Sequence, residues 1–546
     1  MLLIFFFLSL VTFIIIGFSY IFKIFFINLG QYRTNFIINS DFIYGIFFLS
    51  LLVGVLHLFL PVKYISPVIF VIGIFFFIFV LIKKKIKINF LRYLSILFFL
   101  LFISFNNQLV YDSQLYHLQV IRMYTDYKVI FGISNLEERY GMSSTWHLLL
   151  SIFNYRIFNV QLVNFFNCII YSFIVNDFFS ESLKKISKST FFLAVSVFIV
   201  FLYSLVHPFG NGTILNNFGS PEVDIIIAFF YIYSFYLFLR FFESNSNDIL
   251  QKLLLISFLS FTIKISGAIL ICLPLIIFLI KKKFFINVKT LLYILILLAQ
   301  SFFHHFISSG CYIFPLSQTC TQTVWSMQIK DVINYKKIIT SFSRDTPLRE
   351  KFGDFSYTID SFDWLLPWFK TYFLTTEFLY LSSVYVVFIF FFILLKYFSK
   401  KIFYDRISIY ISLFIALSLI IWFQAPEIRF GYGPIITLCS WLTLVVSTNF
   451  KNFYKNFYFF KHCFFLTLLL ITLKNFKNYE YLFFYSKAGI EKKNYKLLYS
   501  LNNIDIYKPL AGNFCLDLDF FCVYKENKNF KILNYKNYLF FINKSL

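Results

Sequence analysis

Charged side chains are scarce in this chain. Only 14% of its 546 residues are Asp, Glu, Lys or Arg, against 59% hydrophobic and 23% aromatic, and its mean hydropathy is +0.75. That shortage excludes a soluble protein, because no water-soluble domain of this length hides so much apolar side chain. Windows of about 20 apolar residues recur from end to end. The first window lacks both a basic leading region and a small-residue cleavage site, so it reads as a retained span and not a signal peptide. An internal repeat strong enough to argue a transporter of two halves is missing. So is CxxC spacing, which weakens a zinc site. Phenylalanine, with 84 copies, is plentiful. Alongside abundant Ile, Lys, Asn and Tyr it points to an AT-rich genome and carries no functional information.

What charge there is sits in few places. The net charge of +23 invites a nucleic-acid partner, but the basic residues form short knots between apolar runs: Lys83 to Lys87, Lys184 with Lys185 and Lys188, Lys281 to Lys283, Lys400 with Lys401 and Arg406, and Lys451, Lys455 and Lys461. That is the pattern of the positive-inside rule. It implies a lipid bilayer as the partner and no nucleic acid. About fourteen spans are expected, near residues 2–22, 40–60, 66–82, 91–105, 158–178, 190–206, 223–242, 251–263, 266–280, 289–307, 376–398, 407–424, 434–449 and 462–474. Holding each knot inside places 106–157, 207–222, 308–375, 425–433 and the tail from 475 outside. The expected fold is an all-α polytopic membrane protein. A transmembrane helix bundle over 1–474 would carry outer-face loops 106–157 and 308–375, and residues 475–546 would form a small external α/β cap.

Cysteine supports that topology independently. Cys168, Cys272, Cys439 and Cys463 lie in apolar spans and read as small buried thiols. Cys311 with Cys320, and Cys515 with Cys522, fall in segments already placed outside, where disulfides persist. A metal site using His304 and His305 beside Cys311 is the rival to the first pair. Trp364 to Phe369 reads either as an amphipathic segment at the membrane interface or as an ordinary aromatic belt.

Two polar islands interrupt the apolar pattern. The larger runs from Tyr111 to His117 and on to Gly141–Trp146, and holds Asp112, Tyr116, His117, Asp126, Glu137, Glu138, Arg139 and Trp146. The smaller is Gly219 to Asp224, with Glu222 and Asp224 two apart. Acidic and imidazole groups beside a membrane line functional cavities by default. Asp112 would sit at the water–lipid boundary as a general base or a divalent-ion ligand. His117 lies five residues on, near Asp112 but not squarely on the same face of an α-helix. Glu222 and Asp224 read either as site carboxylates or as a helix N-terminus behind Pro221. Arg429, in the short loop Ala425–Gly433 with Tyr432, would bind a phosphate or else pair with Glu427 or Asp112. Arg139 and Arg122 are further phosphate candidates.

A long first outer loop opening on Asp112, a second acidic motif before a later helix, many spans and a C-terminal cap together resemble the GT-C class of membrane glycosyltransferases. That class includes the protein mannosyltransferases and the lipid A aminoarabinose transferases. More closely, Asp112–His117, Asn135–Trp146, Ser220–Asp224, Ser309–Pro315, Ala425–Phe430, Cys515 and Cys522 resemble a family of uncharacterised bacterial multipass proteins, often found near cell-surface polysaccharide genes. The resemblance implies a polyprenyl-phosphate-linked sugar donor and a glycan or lipid acceptor. The reaction would occur on the outer face of the bacterial cytoplasmic membrane. Asp112 would be the catalytic acid of the first loop, with His117 orienting it or binding acceptor, Asp224 in the second acidic motif, and Arg429 beside the donor phosphate. Tyr116, Glu138, Arg139, Trp146, Glu222 and Tyr432 would complete the substrate contacts. The chain departs from the pattern in having no DxD at Asp112, whose neighbours are Tyr111 and Ser113. This favours plain base catalysis without a cofactor and gives a divalent metal no positive support. A lipid-linked sugar flippase or a polysaccharide polymerase are the rivals. A transporter should carry charges deep within its spans, and Lys264, beside the break at Ser266–Gly267, is the one clear instance expected.

Overall fold

The computed structural model describes residues 1–26, 38–83, 90–105, 109–157, 160–182, 187–206, 218–281, 287–345, 351, 353–374, 406–448, 453–476, 479, 494–502, 504–525 and 530–543. Apolar runs without interruption by charge form helices, as expected from lengths of about 20 residues at 1.5 Å per residue. Helices lie over thirteen of the fourteen stretches read as spans; the one at 376–398 falls outside the described residues, as do most of the basic knots. Among the described residues, eight helices are long and apolar enough to cross a membrane. Several expose apolar side chains outward: Val71 and Phe75 on Val62–Ile82, Leu295 on Val288–Ser309, and Ile420 on Arg406–Gln424. The interior is packed by aromatic rings, with Phe42 stacked on Phe173 at 4.8 Å and Phe13 on Phe77 at 4.3 Å. Offset rings of this kind contribute beyond their buried area.

Arg429 is not in a loop. The helix Ile428–Thr448 begins six residues before the expected 434 and contains Pro434. The glycines of the expected loop serve close packing. A Cβ on Gly433 would meet the Tyr231 ring at 2.8 Å, and one on Gly431 would meet Trp422 at 2.7 Å. Tertiary packing of this kind lets a helix tolerate Gly and Pro.

The scarcity of buried charge also needs correction. Besides Lys264, the residues Asp41, Asp177, Arg240 and Lys252 lie within helices, and Asp41, Asp177 and Lys252 are buried. Lys252 reaches Asp41 at 2.6 Å and Asp248 at 2.7 Å, while Lys23 reaches Asp41 at 2.9 Å. Arg240 binds Glu181 at 3.0 Å, and Tyr233 donates to Asp177 at 2.8 Å. These groups sit near helix ends, where a sliding apolar window reads them as flanks. Their mutual pairing offsets the desolvation that an isolated charge would suffer.

The tail forms small sheets, not a separate lobe. Tyr495–Leu501 pairs antiparallel with Ile504–Pro509, which pairs parallel with Phe521–Cys522; Phe530–Tyr535 and Tyr538–Asn543 form a hairpin. Phe521, Val523, Ile532 and Phe541 share one apolar core with Val120, Ile130 and Ile133 of the first loop. Backbone bonds stitch the two together: Phe131 N–H donates to Leu539, Phe541 N–H to Phe131, and Leu516 N–H to Gln114. Gly132, at φ +65, marks the tightest point, where a Cβ would lie 2.3 Å from the Phe541 carbonyl oxygen. Both expected disulfides are formed, Cys311–Cys320 and Cys515–Cys522. The second closes the loop whose Asp517 meets Arg156 at 2.9 Å and whose Asp519 meets Arg122 at 2.8 Å. Cys168 and Cys439 are buried free thiols and Cys272 is half-buried; the side chain of Cys463 lies outside the described residues. Trp364 and Trp368 point inward, with Trp368 Nε1 donating to the Pro426 carbonyl at 3.1 Å, while Leu366 and Phe369 are exposed.

Candidate active site

The polypeptide makes a π-helical turn over Ser113–His117. Five residues along an α-helix rotate a side chain by about 140° away, whereas the i→i+5 bonding of a π turn brings it back towards the starting face. Such turns occur frequently at functional sites. This is how Asp112 and His117, poorly aligned for an α-helix, come to face one cluster. The second motif is fixed by Asn167, whose Nδ2 donates to the carbonyls of Ser220 at 2.8 Å and Glu222 at 3.2 Å. Ser220 Oγ in turn donates to Ser113 Oγ at 2.6 Å, tying the two motifs together.

Arg429 joins them. Its Nη2 lies 2.6 Å from Asp112 Oδ2 and its Nε 2.7 Å from Glu427 Oε1, with Asp224 at 3.7 Å and Glu222 at 4.0 Å. Both pairings weighed from the sequence, with Asp112 and with Glu427, are made at once. Glu222 stands at the N-cap of Val223–Ser244 but makes no side-chain cap bond. Asp224 pairs with Lys264, which sits at an extended residue between Asn247–Ile263 and the 3₁₀ turn Ile265–Ile271, its Nζ 3.7 Å from the Phe430 ring centroid. Ser144 Oγ donates to the Ile263 carbonyl at 3.0 Å, pinning this break to the first loop.

The environment separates the carboxyls. Burial opposes charge on Asp112, but Arg429, then His117 and Arg139, outweigh it and hold the carboxyl below its usual range. Burial, reinforced by Asp224, pushes Glu222 well above its usual range and so favours its protonated form beside Asp224. Burial lowers His117 to about 4, so its imidazole is neutral. Its 3.6 Å contact with Glu222 is therefore between two uncharged groups and is not an ion pair. Nδ1 of His117 also lies 3.2 Å from Ser113 Oγ, and its ring 4.5 Å from that of His147. The two carboxyls therefore stand side by side in different environments, one held towards its charged form and one towards its neutral form. Because Glu222 is already neutral, Glu222→Gln should leave activity within about threefold of wild type, since glutamine also offers a donor to Asp224. Single-turnover rates of the two proteins would check this.

A cavity of about 440 Å³ opens over the cluster. Asp112, Tyr116, His117, Arg139, Glu222, Asp224 and Arg429 line it. Glu138, Trp146 and Tyr432 do not. Trp146 is buried edge-on against Phe166, Tyr432 is in the apolar core, and Glu138 lies outside the lining. The same cavity is also lined by apolar side chains, Ile227, Phe261, Ile339, Phe342, Ile421 and Trp422. Sequence reasoning saw Lys264 but not its place here; a lone charge beside a helix break was the available signal. Tyr335 and Lys336 were missed, although the helix Ile329–Asp345 that bears them is visibly amphipathic. His304 Nε2 bonds to the Gly54 carbonyl at 2.9 Å, and Cys311 is in its disulfide. Among the described residues, no three His, Cys, Asp or Glu side chains are grouped to hold a metal ion.

Residues 1–436 match the model of a family described as a domain of unknown function, DUF8201. The chain belongs to that family. The match takes in every side chain of the Arg429 cluster and ends before the C-terminal cap, so the DUF8201 region supplies the charged centre. No curated protein and no solved structure matches the chain.

Proposed function

We propose that this protein is a multipass glycosyltransferase of the bacterial cytoplasmic membrane. It would move a sugar from a polyprenyl-phosphate carrier to a glycan or lipid acceptor on the outer face, in cell-surface glycan or lipopolysaccharide assembly. The observation that carries the reading is the mixed lining of the cavity, in which an aspartate paired with Arg429 and a lysine paired with Asp224 share one space with apolar side chains. A lipid-linked sugar likewise combines a polar head with a greasy tail. The long helices with exposed apolar faces suit burial in lipid, and exposed Leu366 and Phe369 suit an interfacial position.

In the proposed step, Asp112 takes the proton of an acceptor hydroxyl as its oxygen attacks the anomeric carbon. The bond from that carbon to the phosphate oxygen breaks, and polyprenyl phosphate leaves with the electron pair. Lys264 and Arg429 stabilise the developing negative charge. Attack opposite the leaving group inverts the anomeric centre. His117, neutral and packed behind Asp112, holds the acceptor side of the cluster.

Cells lacking the gene, complemented with the wild-type chain, supply the test by mass spectrometry of surface glycans and lipid-linked intermediates. Loss of one defined sugar, with its polyprenyl-phosphate donor accumulating on the outer leaflet and rescue by complementation, is the expected result. A second reading, lipid-linked sugar transport, draws on the charged network of Asp41, Lys252, Asp177 and Arg240. Accumulation confined to the inner leaflet would favour it, and an unchanged profile would remove the transferase reading.

A further inference from the structure

Two arginines line the cavity, and they differ in how much of their hydrogen-bonding capacity is already taken. Arg429 is held by Asp112 and Glu427 at 2.6 and 2.7 Å, with two more carboxyls within 4.0 Å. Among the described residues Arg139 makes one ion pair, with Glu137 at 3.9 Å, while Asp112 and Glu138 lie within electrostatic reach. Its buried Nη1 makes no hydrogen bond. Burial raises Glu137 to about 7, so at neutral pH even this partner is ionised only part of the time. The guanidinium lies over the ring of Tyr524, 4.6 Å from its centroid, on the C-terminal cap. Tyr335 and Lys336, from the Ile329–Asp345 helix, line the same cavity. A guanidinium with an unused N–H, with Tyr335 in the same cavity lining, suits an oxyanion carried on a sugar ring. Guanidinium binds carboxylate or phosphate through its paired N–H groups, and tyrosine faces pack against the ring.

We propose that Arg139 forms a second anion subsite that selects an acidic acceptor, one bearing a carboxylate or phosphate monoester on the sugar. The inference rests on the glycosyltransferase reading and adds its substrate class. The acceptor, and not the donor, is assigned here because Arg139 is held against the cap. Lys264 instead lies between Asp224 and Phe430, beside Ile263 and Ile265 in the cavity wall, and the donor phosphate must sit where its chain meets an apolar surface.

Binding separates the two sources of negative charge without any turnover. The full-length protein in lipid nanodiscs is titrated by ligand-observed NMR with D-glucuronate, D-glucose and farnesyl phosphate. Wild type should prefer glucuronate to glucose by about tenfold or more, as expected for one charge-assisted contact. Arg139→Gln should lose that preference while binding farnesyl phosphate as wild type does, which also shows that it is folded; Arg139→Lys should keep part of the preference. Lys264→Met should show the reverse pattern. Equal binding of the two sugars by wild type, or an undiminished preference in Arg139→Gln, overturns the proposal. Loss of farnesyl phosphate binding in Arg139→Gln would assign the residue to the donor and overturn it as well. Selective glucuronate binding with an unchanged cellular glycan profile would defeat the transferase reading while leaving the acidic-sugar site in place.

Discussion

Asp112→Asn is expected to lower single-turnover sugar transfer by about 10²–10⁴-fold, the range over which a positioned general base accelerates proton transfer. The side chain is only 22% exposed and its Oδ2 is 2.6 Å from Arg429, so the amide occupies the same space but accepts no proton. Folding should survive, because Arg429 keeps Glu427 at 2.7 Å and Asp224 at 3.7 Å. Arg429 also makes Asp112 a weak base at rest, since it is the leading cause that holds the carboxyl ionised. A phosphate arriving beside Arg429 and Lys264 would compete for these cations and raise the basicity of Asp112 only when donor is bound. The pH–rate profile reports this. With donor bound, the acid limb should lie at higher pH than the limb of kcat/KM, which reflects free enzyme. Wild-type transfer by Asp112→Asn would end the base assignment, and coincident limbs would end the competition argument.

The elements legible in the sequence were those specified by local pattern. Apolar runs gave helices because nothing in them competes with backbone bonding in a nonpolar setting, and the Asp112 and Glu222 islands stood out because charge is rare here. What stayed hidden depends on contacts distant in sequence. The Ser113–His117 π turn has no signature that separates it from an α-turn. Ala425–Gly433 read as a loop because the packing partners of Gly431 and Gly433, Trp422 and Tyr231, are not visible along the chain. The tail looked like an independent cap because its apolar positions are few; they suffice only when pooled with Val120, Ile130 and Ile133. For Arg429 the phosphate and the carboxylate pairings stayed open because three of its four carboxyl neighbours, Asp112, Glu222 and Asp224, come from segments hundreds of residues away.

Arg429→Leu should destabilise the protein by about 3–5 kcal/mol at neutral pH, the usual consequence of leaving buried charge without its partner. Arg429 is only 11% exposed, so water replaces little of what is lost. The pH dependence identifies the cause. In wild type the Asp112 carboxyl titrates below its unfolded value of about 3.9. Its contribution is therefore complete above that pH and is lost as pH falls through the lower folded value. Without Arg429, burial becomes the dominant influence on Asp112, and it already raises Glu427 and Glu222. Each carboxyl then titrates higher folded than unfolded, so the variant is at its best below about pH 4 and loses stability as pH rises towards the folded values. Thermal unfolding in nanodiscs at pH 5 and pH 8 reads the sign directly: the variant's deficit relative to wild type should shrink at pH 5. A deficit independent of pH would mean that Arg429 acts through packing and not as the counter-ion of the carboxyl cluster.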